Sequence, residues 1–489
     1  MTGRSNGRRA GGPGPERTNE PEPAGPPAER SAPAGGRAAR AVTEGWRRAD
    51  RAAGGLALDL GLYALSTAFA AVTARTSTLT PHRAWAALAV WGYAAATVAV
   101  LGQLAVRRFG PTRAGPARFS PARFGRARHR PVTGVRAGLT AMPGARAGLT
   151  ALAWAATTLL PLLVQAVQRA GGRPDRAQEE VLVVEQAGQR LVETGTPYLD
   201  RAAIAALPEP ERLLGYFPYQ PGMALFGLPR ATFGEHWWTD ARPWFALATL
   251  AAVAAALAIA GGRLGPLVRA GQAVTVLPLC ALTLATGGDD LPVLALCLLA
   301  LALAGRGRWG WAGVAVGAAG ALKLFAWPVA LVLAVHALTH GPAAARRFVG
   351  WAAALPAAAL VPALLVDLGA AAENVLRFPL GQGLVTSPAQ SPLPGHLIAT
   401  GVPGGRAIAA ALLVVAGLAI AAGLARRPPR TAAAATLVCA YGLFTAMLLL
   451  PSTRFGYLLY PVAFAAWAPA LGAYRITVGE AEPAATAYT

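Results

Sequence analysis

Lysine is almost absent from this sequence: Lys323 is the only one, although lysine and arginine together number 44. Charged residues make up 14% of the chain, against about 25% in an average soluble protein. The three cysteines, Cys280, Cys297 and Cys439, all lie in apolar segments, which excludes a CxxC metal motif and a disulfide framework. These scarcities exclude an ordinary soluble domain and a small disulfide-stabilised secreted protein.

Apolar residues are abundant instead, at 54% of the chain, and they form blocks close to the length that crosses a bilayer. We therefore predict an all-α polytopic membrane protein with about twelve transmembrane helices. The predicted spans are Leu56–Ala74, Ala84–Leu104, Leu149–Val167, Trp244–Ala260, Leu267–Ala285, Leu291–Ala304, Trp309–Leu324, Ala326–Leu338, Phe348–Val366, Ile408–Leu424, Thr431–Leu450 and Tyr457–Leu471.

The spans divide the chain into four predicted parts. Residues 1–54 read as a disordered cytoplasmic tail, 55–148 as two helices and a basic loop, 149–475 as the main transmembrane bundle, and 476–489 as a second tail. The net charge of +21 could suggest nucleic-acid binding. However, the arginines lie between apolar blocks rather than on one soluble face, so we expect a lipid bilayer as partner and no nucleic acid.

Arginine-rich connections without acids alternate with connections that carry the acids, and this pattern predicts orientation in the membrane. Residues 107–146, for example, contain arginines and no acid, whereas 169–242 hold many of the acids. The pattern predicts a multi-pass cell-membrane protein with both termini in the cytoplasm. The rare polar groups then collect on the extracytoplasmic side, as a reaction centre there would require.

The longest polar connection, residues 169–242, is predicted to carry an interfacial helix over Ala177–Glu193. Glu180 lies at the edge of its apolar stripe, where partial desolvation suits a general base, although a plain solvated charge would look the same. The stripe, at 100° per residue, contains Val181, Val184, Gly188, Leu191 and Val192.

Aromatic residues follow this helix in a proline-rich segment. Tyr198, Tyr216 and Tyr219 offer ring faces and hydroxyls that could bind a sugar or the acceptor. The same rings are also typical of an interfacial aromatic belt, so both interpretations stay open.

The order of these motifs resembles the membrane mannosyltransferases of glycosyltransferase family 87, in the GT-C superfamily. The resemblance rests on Ala187-Gly188, on Gly195-Thr196-Pro197-Tyr198, on YFPYQPGMALFGLP and on the GGDDLP…ALKLFAWP region, over about residues 149–400. It implies a GT-C-like bundle that uses polyprenyl-phosphate sugars at the outer membrane face. It also places Glu180 where the family usually has aspartate, and Gln220-Pro221 where Pro-Pro is expected.

Other unusual polar residues lie at the predicted outer ends of the spans. Lys323, Arg377 and Arg454 are candidates for the donor phosphate, because cations at membrane depth are costly and usually functional. Asp289 and Asp290 could be the base, could cap a helix, or could hold a divalent metal, although no cofactor is required. His396 could assist in binding the sugar or the acceptor, but a lone histidine is often structural.

The sequence therefore predicts a glycosyltransferase that moves a hexose, mannose by resemblance, from a polyprenyl-phosphate donor to a glycolipid or glycan of the cell envelope. A multi-pass transporter or lipid flippase is the alternative, and a non-catalytic scaffold is a third possibility. The transferase interpretation predicts that Glu180, Lys323 and Arg377 meet beneath the 169–242 segment, and it fails if they lie on opposite membrane faces or share no cavity.

Overall fold

The computed structural model describes residues 52–109 and 143–472. The predicted tails, apart from residues 52–54, and most of the predicted basic loop lie outside these ranges. In the described ranges the chain is helical, and Gln390 and Thr453 form an isolated bridge between two loops. The predicted all-α fold is confirmed.

Fourteen helices organise the described residues. The first seven are α1 (Leu56–Thr76), α2 (Thr80–Phe109), α3 (Gly144–Ala170), α4 (Glu179–Thr194), α5 (Ala241–Ala260), α6 (Leu264–Thr275) and α7 (Pro278–Thr286). The other seven are α8 (Asp290–Gly305), α9 (Trp309–Leu322), α10 (Ala326–Leu338), α11 (Pro342–Val366), α12 (Gly405–Arg426), α13 (Ala432–Leu449) and α14 (Leu459–Gly472). Shorter helices lie in the connections, at Arg201–Ala206, Pro221–Gly227, Leu228–Phe233, Leu368–Ala372, Glu373–Arg377 and Pro394–Gly401.

Each of the twelve predicted spans coincides with one of these helices or with a pair of them. Among the described residues, 8 helices are long and apolar enough to cross a membrane, and the pair α6–α7 brings the number to 9. Helices α8, α9 and α10 are apolar but have only 16, 14 and 13 residues. The chain is thus a multi-pass membrane protein, and twelve spans result only if these three short helices also cross.

The predicted span Leu267–Ala285 is not one straight helix. It is bent by 43° between α6 and α7, where Leu277 is extended and Pro278 begins the next helix. Proline has no N–H to donate and disfavours helical geometry in the preceding residue. The sequence contained this signal, and the predicted span corresponds to a bent pair of helices.

The N-terminal hairpin α1–α2 packs on the main bundle through buried polar contacts. Trp85 donates to the Thr157 carbonyl at 2.8 Å, and Tyr93 donates to the Val276 carbonyl at 2.7 Å. Asp59, buried in α1, pairs with Arg146 at 2.6 Å and with Arg269 at 2.8 Å. Buried charges are stable when they are paired in this way, so the hairpin is an integral part of the bundle.

In the structure the long polar connection between α3 and α5 comprises residues 171–240, and helix α4 lies in it. We call the end of the bundle that carries this 171–240 segment the loop face. The helix ends at Gly195, whose φ of 77° suits glycine as a helix C-cap. Its Gly188 faces Gly227 of the Pro221–Gly227 turn at very close range. Two glycines at this crossing let the helix and the turn approach backbone to backbone.

Replacing Gly188 with alanine is therefore expected to destabilise the protein, by about 1–3 kcal/mol for overpacking. The added Cβ would lie 2.7 Å from the Gly227 Cα, and backbone atoms cannot move aside as a flexible side chain can. Gly148→Ala in α3 is the matched control, since nothing lies within 4 Å of its Cβ position. Thermal unfolding in detergent measures both, and equal melting temperatures would contradict the packing argument.

Candidate active site at the loop face

The first turn of α4 is attached to the end of α7. The Gln178 backbone N–H donates to the Thr286 carbonyl at 3.0 Å, and the Thr286 hydroxyl donates to the Gln178 side chain at 2.6 Å. A Cβ on Gly287 would lie 3.7 Å from Glu180 Oε2. Glu180 is therefore held beside the turn that carries Asp289 and Asp290.

Glu180 forms an ion pair with Arg454, which comes from the far end of the sequence. Their side chains are 15% and 30% exposed, so the pair is open to a substrate. Burial by itself lowers the pKa of Arg454, but Glu180 outweighs that effect and the net shift is upward. Arg454 is thus a permanent cation next to the candidate base.

The loop that holds Arg454 is fixed by a neighbouring loop. Thr453 donates to the Ala389 carbonyl at 2.9 Å, and Ser391 donates to the Thr453 carbonyl at 2.8 Å. His396 bonds the Pro451 carbonyl through Nδ1 at 3.0 Å. This ring nitrogen positions the loop next to Arg454, whereas the sequence suggested a contact with sugar or acceptor.

Lys323 lies between the two aspartates. Its Nζ is 2.8 Å from Asp289 Oδ2 and 2.5 Å from Asp290 Oδ1, and Tyr460 donates to Asp290 Oδ1 at 2.8 Å. The backbone of Lys323 is extended between α9 and α10, and the Gln220 N–H donates to the Leu322 carbonyl. The break between two short helices therefore turns the lysine toward the aspartates, as unwound segments do when they line a polar site.

Aromatic rings surround the lysine. Its Nζ lies 5.0 Å from the ring centroid of Tyr219, 5.7 Å from that of Phe325 and 5.3 Å from that of Tyr457. Ring faces stabilise an ammonium through cation–π attraction. Tyr219 belongs to the predicted aromatic segment, but Tyr457 and Tyr460 were missed, although they lie three and six residues after the predicted Arg454.

These contacts assemble Glu180, Asp289, Asp290, Lys323 and Arg454 into what we call the carboxylate centre. Three carboxylates and two cations give it a net charge of −1. The two aspartates already balance Lys323, so this lysine holds the acids in place. The centre is better suited to accept a proton and to face developing positive charge than to bind a phosphate.

Arg377 and Tyr216 do not join the carboxylate centre. Both contact Glu373, Tyr216 at 2.9 Å and Arg377 at 3.4 Å. No contact in the described parts of the chain brings Arg377 to Glu180 or Lys323. Arg377 therefore belongs to a separate cluster, and its predicted role at the donor phosphate stays a prediction.

Two of the predicted tyrosines use their hydroxyls inside the protein. Tyr198 is buried and donates to the Tyr219 carbonyl at 2.9 Å, and buried Tyr216 is stacked on Phe378. Burial raises the pKa of the Tyr198 hydroxyl. Both rings shape the segment that presents Tyr219, the only one of the three predicted tyrosines whose ring contacts the centre in the described structure.

The remaining acids of α4 and its surroundings are structural. Glu185 is buried and pairs with Arg169 at 2.6 Å and with Arg230 at 3.1 Å, while Asp240 pairs with Arg242 at 2.7 Å. Arg242 and Arg169 together hold the pKa of Asp240 below its usual range, although burial alone would raise it. This network fixes the 171–240 segment to α3 and α5.

The predicted apolar stripe of α4 is buried along its first part and exposed at Val192. Val181, Val184 and Gly188 are buried, but Val192 is 58% exposed. His82, which lies at the start of α2 and beside the carboxylate centre, was also missed in the sequence. The His82 ring lies against the Gln178 side chain. The N-terminal hairpin therefore reaches the edge of the site.

An apolar groove of about 520 Å³ opens between α10, α12 and α13. Trp327, in the first turn of α10 and four residues after Lys323, lines one end of the groove. The other walls include Leu413, Ile420, Leu443 and Ala446. The groove thus begins close to the carboxylate centre and continues among membrane-spanning helices.

Comparison with known proteins gives a family and two similar structures. Glycosyltransferase family 87 matches residues 217–453, slightly under half of the chain. This range includes Asp289, Asp290 and Lys323, whereas Glu180 and Arg454 lie outside it. The match begins later and ends later than the expected range of about 149–400.

Two crystal structures of ArnT from Cupriavidus metallidurans are also similar, one bound to undecaprenyl phosphate and one in the apo state. Their TM-scores are 0.41 and 0.38, with 17% and 18% sequence identity. The likeness covers 65% and 62% of this chain, and 59% and 56% of the ArnT chains, which is less than two thirds of their length. No curated protein matches the sequence. By its motifs and by the family match over residues 217–453, the chain is similar to glycosyltransferase family 87.

Proposed function

We propose that this protein is a membrane glycosyltransferase that moves a hexose, mannose in the first instance, from a polyprenyl-phosphate donor to a lipid or glycan acceptor of the cell envelope. The observation that supports it most is the carboxylate centre, which joins three distant parts of the chain at the loop face. The family 87 match supports the same reaction class. The arginine pattern of the sequence supports a loop face on the extracytoplasmic side.

Glu180 is the proposed general base. It is the most exposed of the three carboxylates, at 15% against 4% and 7% for Asp289 and Asp290. Glu180 takes the proton of the acceptor hydroxyl, whose oxygen then forms a bond to the anomeric carbon. The bond between that carbon and the phosphate oxygen breaks, and the polyprenyl phosphate leaves with the electron pair.

The net negative charge of the centre fits this reaction. Glycosyl transfer passes through a state in which the sugar ring resembles an oxocarbenium ion. Carboxylates fixed beforehand around such a charge stabilise it without reorganisation. Asp289 and Asp290, held by Lys323, take this role, and Arg454 is the cation available to the leaving phosphate.

The groove between α10, α12 and α13 is the proposed position of the polyprenyl tail. An isoprenoid chain is apolar, and the groove walls are aliphatic side chains with Trp327 at one end. Apolar concave surfaces with a few polar groups at one end are typical of lipid-like ligands. The donor would then lie with its polyprenyl tail at the level of the membrane hydrocarbon and its sugar near Glu180.

Membranes containing the full chain are expected to transfer label from polyprenyl-phosphate-[¹⁴C]mannose into a lipid or glycan fraction. Membranes without the chain are the control, and polyprenyl-phosphate glucose and galactose test the choice of sugar. A triple variant, Glu180→Gln with Asp289→Asn and Asp290→Asn, should show no transfer. Absence of transfer from all three donors, or undiminished transfer by the triple variant, would contradict the proposal.

A further inference from the structure

A second polar cluster lies at the loop face, around Glu373. This carboxylate is fully buried and accepts hydrogen bonds from Arg201 at 2.9 Å, from Tyr216 at 2.9 Å and from Arg377 at 3.4 Å. The next residue, Asn374, accepts from the Phe217 N–H and donates to the Leu199 carbonyl. Arg201 and Arg377 are therefore both hydrogen-bonded to a carboxylate that is fixed in the protein interior.

A third arginine completes the cluster. Arg406, in the first turn of α12, donates to the Gly381 carbonyl at 3.3 Å, and Arg201 donates to the neighbouring Gln382 carbonyl at 3.0 Å. Gly381 has φ of +77°, and a Cβ there would lie 2.6 Å from Arg406 Nη1. Glycine adopts that backbone angle without strain, and a Cβ there would require the Arg406 guanidinium to move.

The three arginines carry more positive charge than the protein neutralises. Glu373 pairs with Arg201 and Arg377, while Arg406 donates to the Gly381 carbonyl, so one carboxylate is counted against three guanidiniums and an excess of +2 remains. Arg201 and Arg377 remain 46% and 54% exposed. The nearby Asp200 caps the Arg201–Ala206 helix by accepting from the Ala203 N–H.

Each of these arginines contacts the described protein through Nη1 alone. In the described structure the Nε and Nη2 groups of Arg201, Arg377 and Arg406 make no hydrogen bond. A guanidinium has five N–H donors in a planar fork that matches phosphate oxygens. The free part of each fork is therefore available to an anion.

The surroundings indicate that such an anion belongs to a lipid. Leu376 and Leu380, which flank Arg377, are 58% and 67% exposed. Large exposed apolar side chains beside basic groups are typical of segments that lie in the membrane interface. The arginines then lie at the depth of lipid headgroups, where phosphate is the prevalent anion.

The cluster is close to the carboxylate centre. Tyr216 contacts Glu373, and Tyr219, three residues later, faces Lys323. Three residues span at most about 11 Å between their Cα atoms even when fully extended. The two clusters therefore adjoin the same short segment of chain, and the cation that the carboxylate centre offers to a phosphate, Arg454, is already paired with Glu180.

We infer that Arg201, Arg377 and Arg406 form a lipid-phosphate site that holds the phosphate of one of the two substrates in the transfer proposed above. The inference rests on that proposed function for its role in catalysis, but not for binding itself. The phosphate could come from the polyprenyl-phosphate donor or from a phospholipid-type acceptor, and the two sources are separable by experiment.

The test uses the full chain in phosphatidylcholine nanodiscs, titrated separately with undecaprenyl phosphate and with phosphatidylglycerol and followed by native mass spectrometry. The variant Arg377→Gln with Arg406→Gln keeps the Arg201–Glu373 pair, so the buried carboxylate retains a partner. Its affinity for at least one of the two lipids is expected to fall roughly tenfold or more. Loss for undecaprenyl phosphate assigns the donor, and loss for phosphatidylglycerol assigns an acceptor phosphate.

Arg173→Gln is the control, because Arg173 lies at the loop face in the 171–240 segment and is 54% exposed, as Arg377 is, but it is not part of the cluster. It should bind both lipids as the wild type does. Unchanged affinity of the double variant for both lipids would overturn the site, as would an equal loss in the Arg173 control. Lipid binding requires no turnover, so a wild type that binds but never transfers would refute the proposed function and leave this site standing.

Discussion

Lys323→Met is expected to abolish sugar transfer and to lower the melting temperature of the protein. The ammonium is buried between Asp289 and Asp290, at 2.8 and 2.5 Å. Methionine keeps most of the volume but leaves two adjacent buried carboxylates without their cation. Breaking a buried ion pair in this way costs about 3–5 kcal/mol. Transfer from the labelled donor and thermal unfolding in detergent measure the two effects.

A second variant separates stability from chemistry. Lys323→Met combined with Asp290→Asn restores the net charge of −1 that these three groups carry in the wild type. It should recover much of the lost stability, because one carboxylate no longer repels another, but it should stay inactive. Transfer within a few-fold of wild type in the single variant would show that the reaction takes place elsewhere. Equal melting temperatures of the two variants would contradict the repulsion argument.

Glu180→Gln is expected to reduce transfer by roughly 10²–10⁴-fold, the range for loss of a general acid or base. Glutamine keeps the shape and can still contact Arg454, but it cannot take a proton from the acceptor hydroxyl. The turnover number should fall far more than the affinity for donor, since Glu180 is not proposed to bind the lipid. Initial rates at several donor concentrations separate the two quantities.

The neighbouring residue supplies the control. Glu179 is on the same turn of α4 and is exposed as a residue, while partial desolvation of its carboxyl group and the charge of Glu180 raise its pKa. Glu179→Gln should leave transfer close to wild type, because the Glu179 carboxylate is not one of the groups that form the carboxylate centre. If Glu179→Gln were as inactive as Glu180→Gln, the assignment of the base to Glu180 would fail. An active Glu180→Gln together with an inactive Asp289→Asn would move the base to Asp289.

Much of the fold was predictable because its cause is local. A bilayer requires apolar blocks of a certain length, so the blocks appear in the sequence and their helices were found. The helix of the 171–240 segment was predicted over Ala177–Glu193 and observed over Glu179–Thr194, since its periodicity and its glycine stop are written in consecutive residues. The break before Pro278 was equally local, and it was overlooked.

The candidate site was predictable only where a residue was unusual for its surroundings. A lone lysine and paired aspartates at the ends of apolar helices were conspicuous for this reason, and they do meet. Glu373 gave no such signal, because an acid in a polar loop is ordinary. Its burial depends on Arg201, which is more than a hundred and fifty positions away in the chain.

The sequence alone determined that this is an all-helical protein of the membrane, in which the lysine and the paired aspartates lie at the ends of apolar blocks. The tertiary structure decided which of these groups are neighbours: it paired Glu180 with Arg454 and Lys323 with two aspartates, and it moved Arg377 to a separate cluster. The physical reason is the separation in sequence between the residues that interact. Helix formation and membrane insertion depend on neighbours along the chain, whereas an ion pair across hundreds of residues depends on how the helices pack.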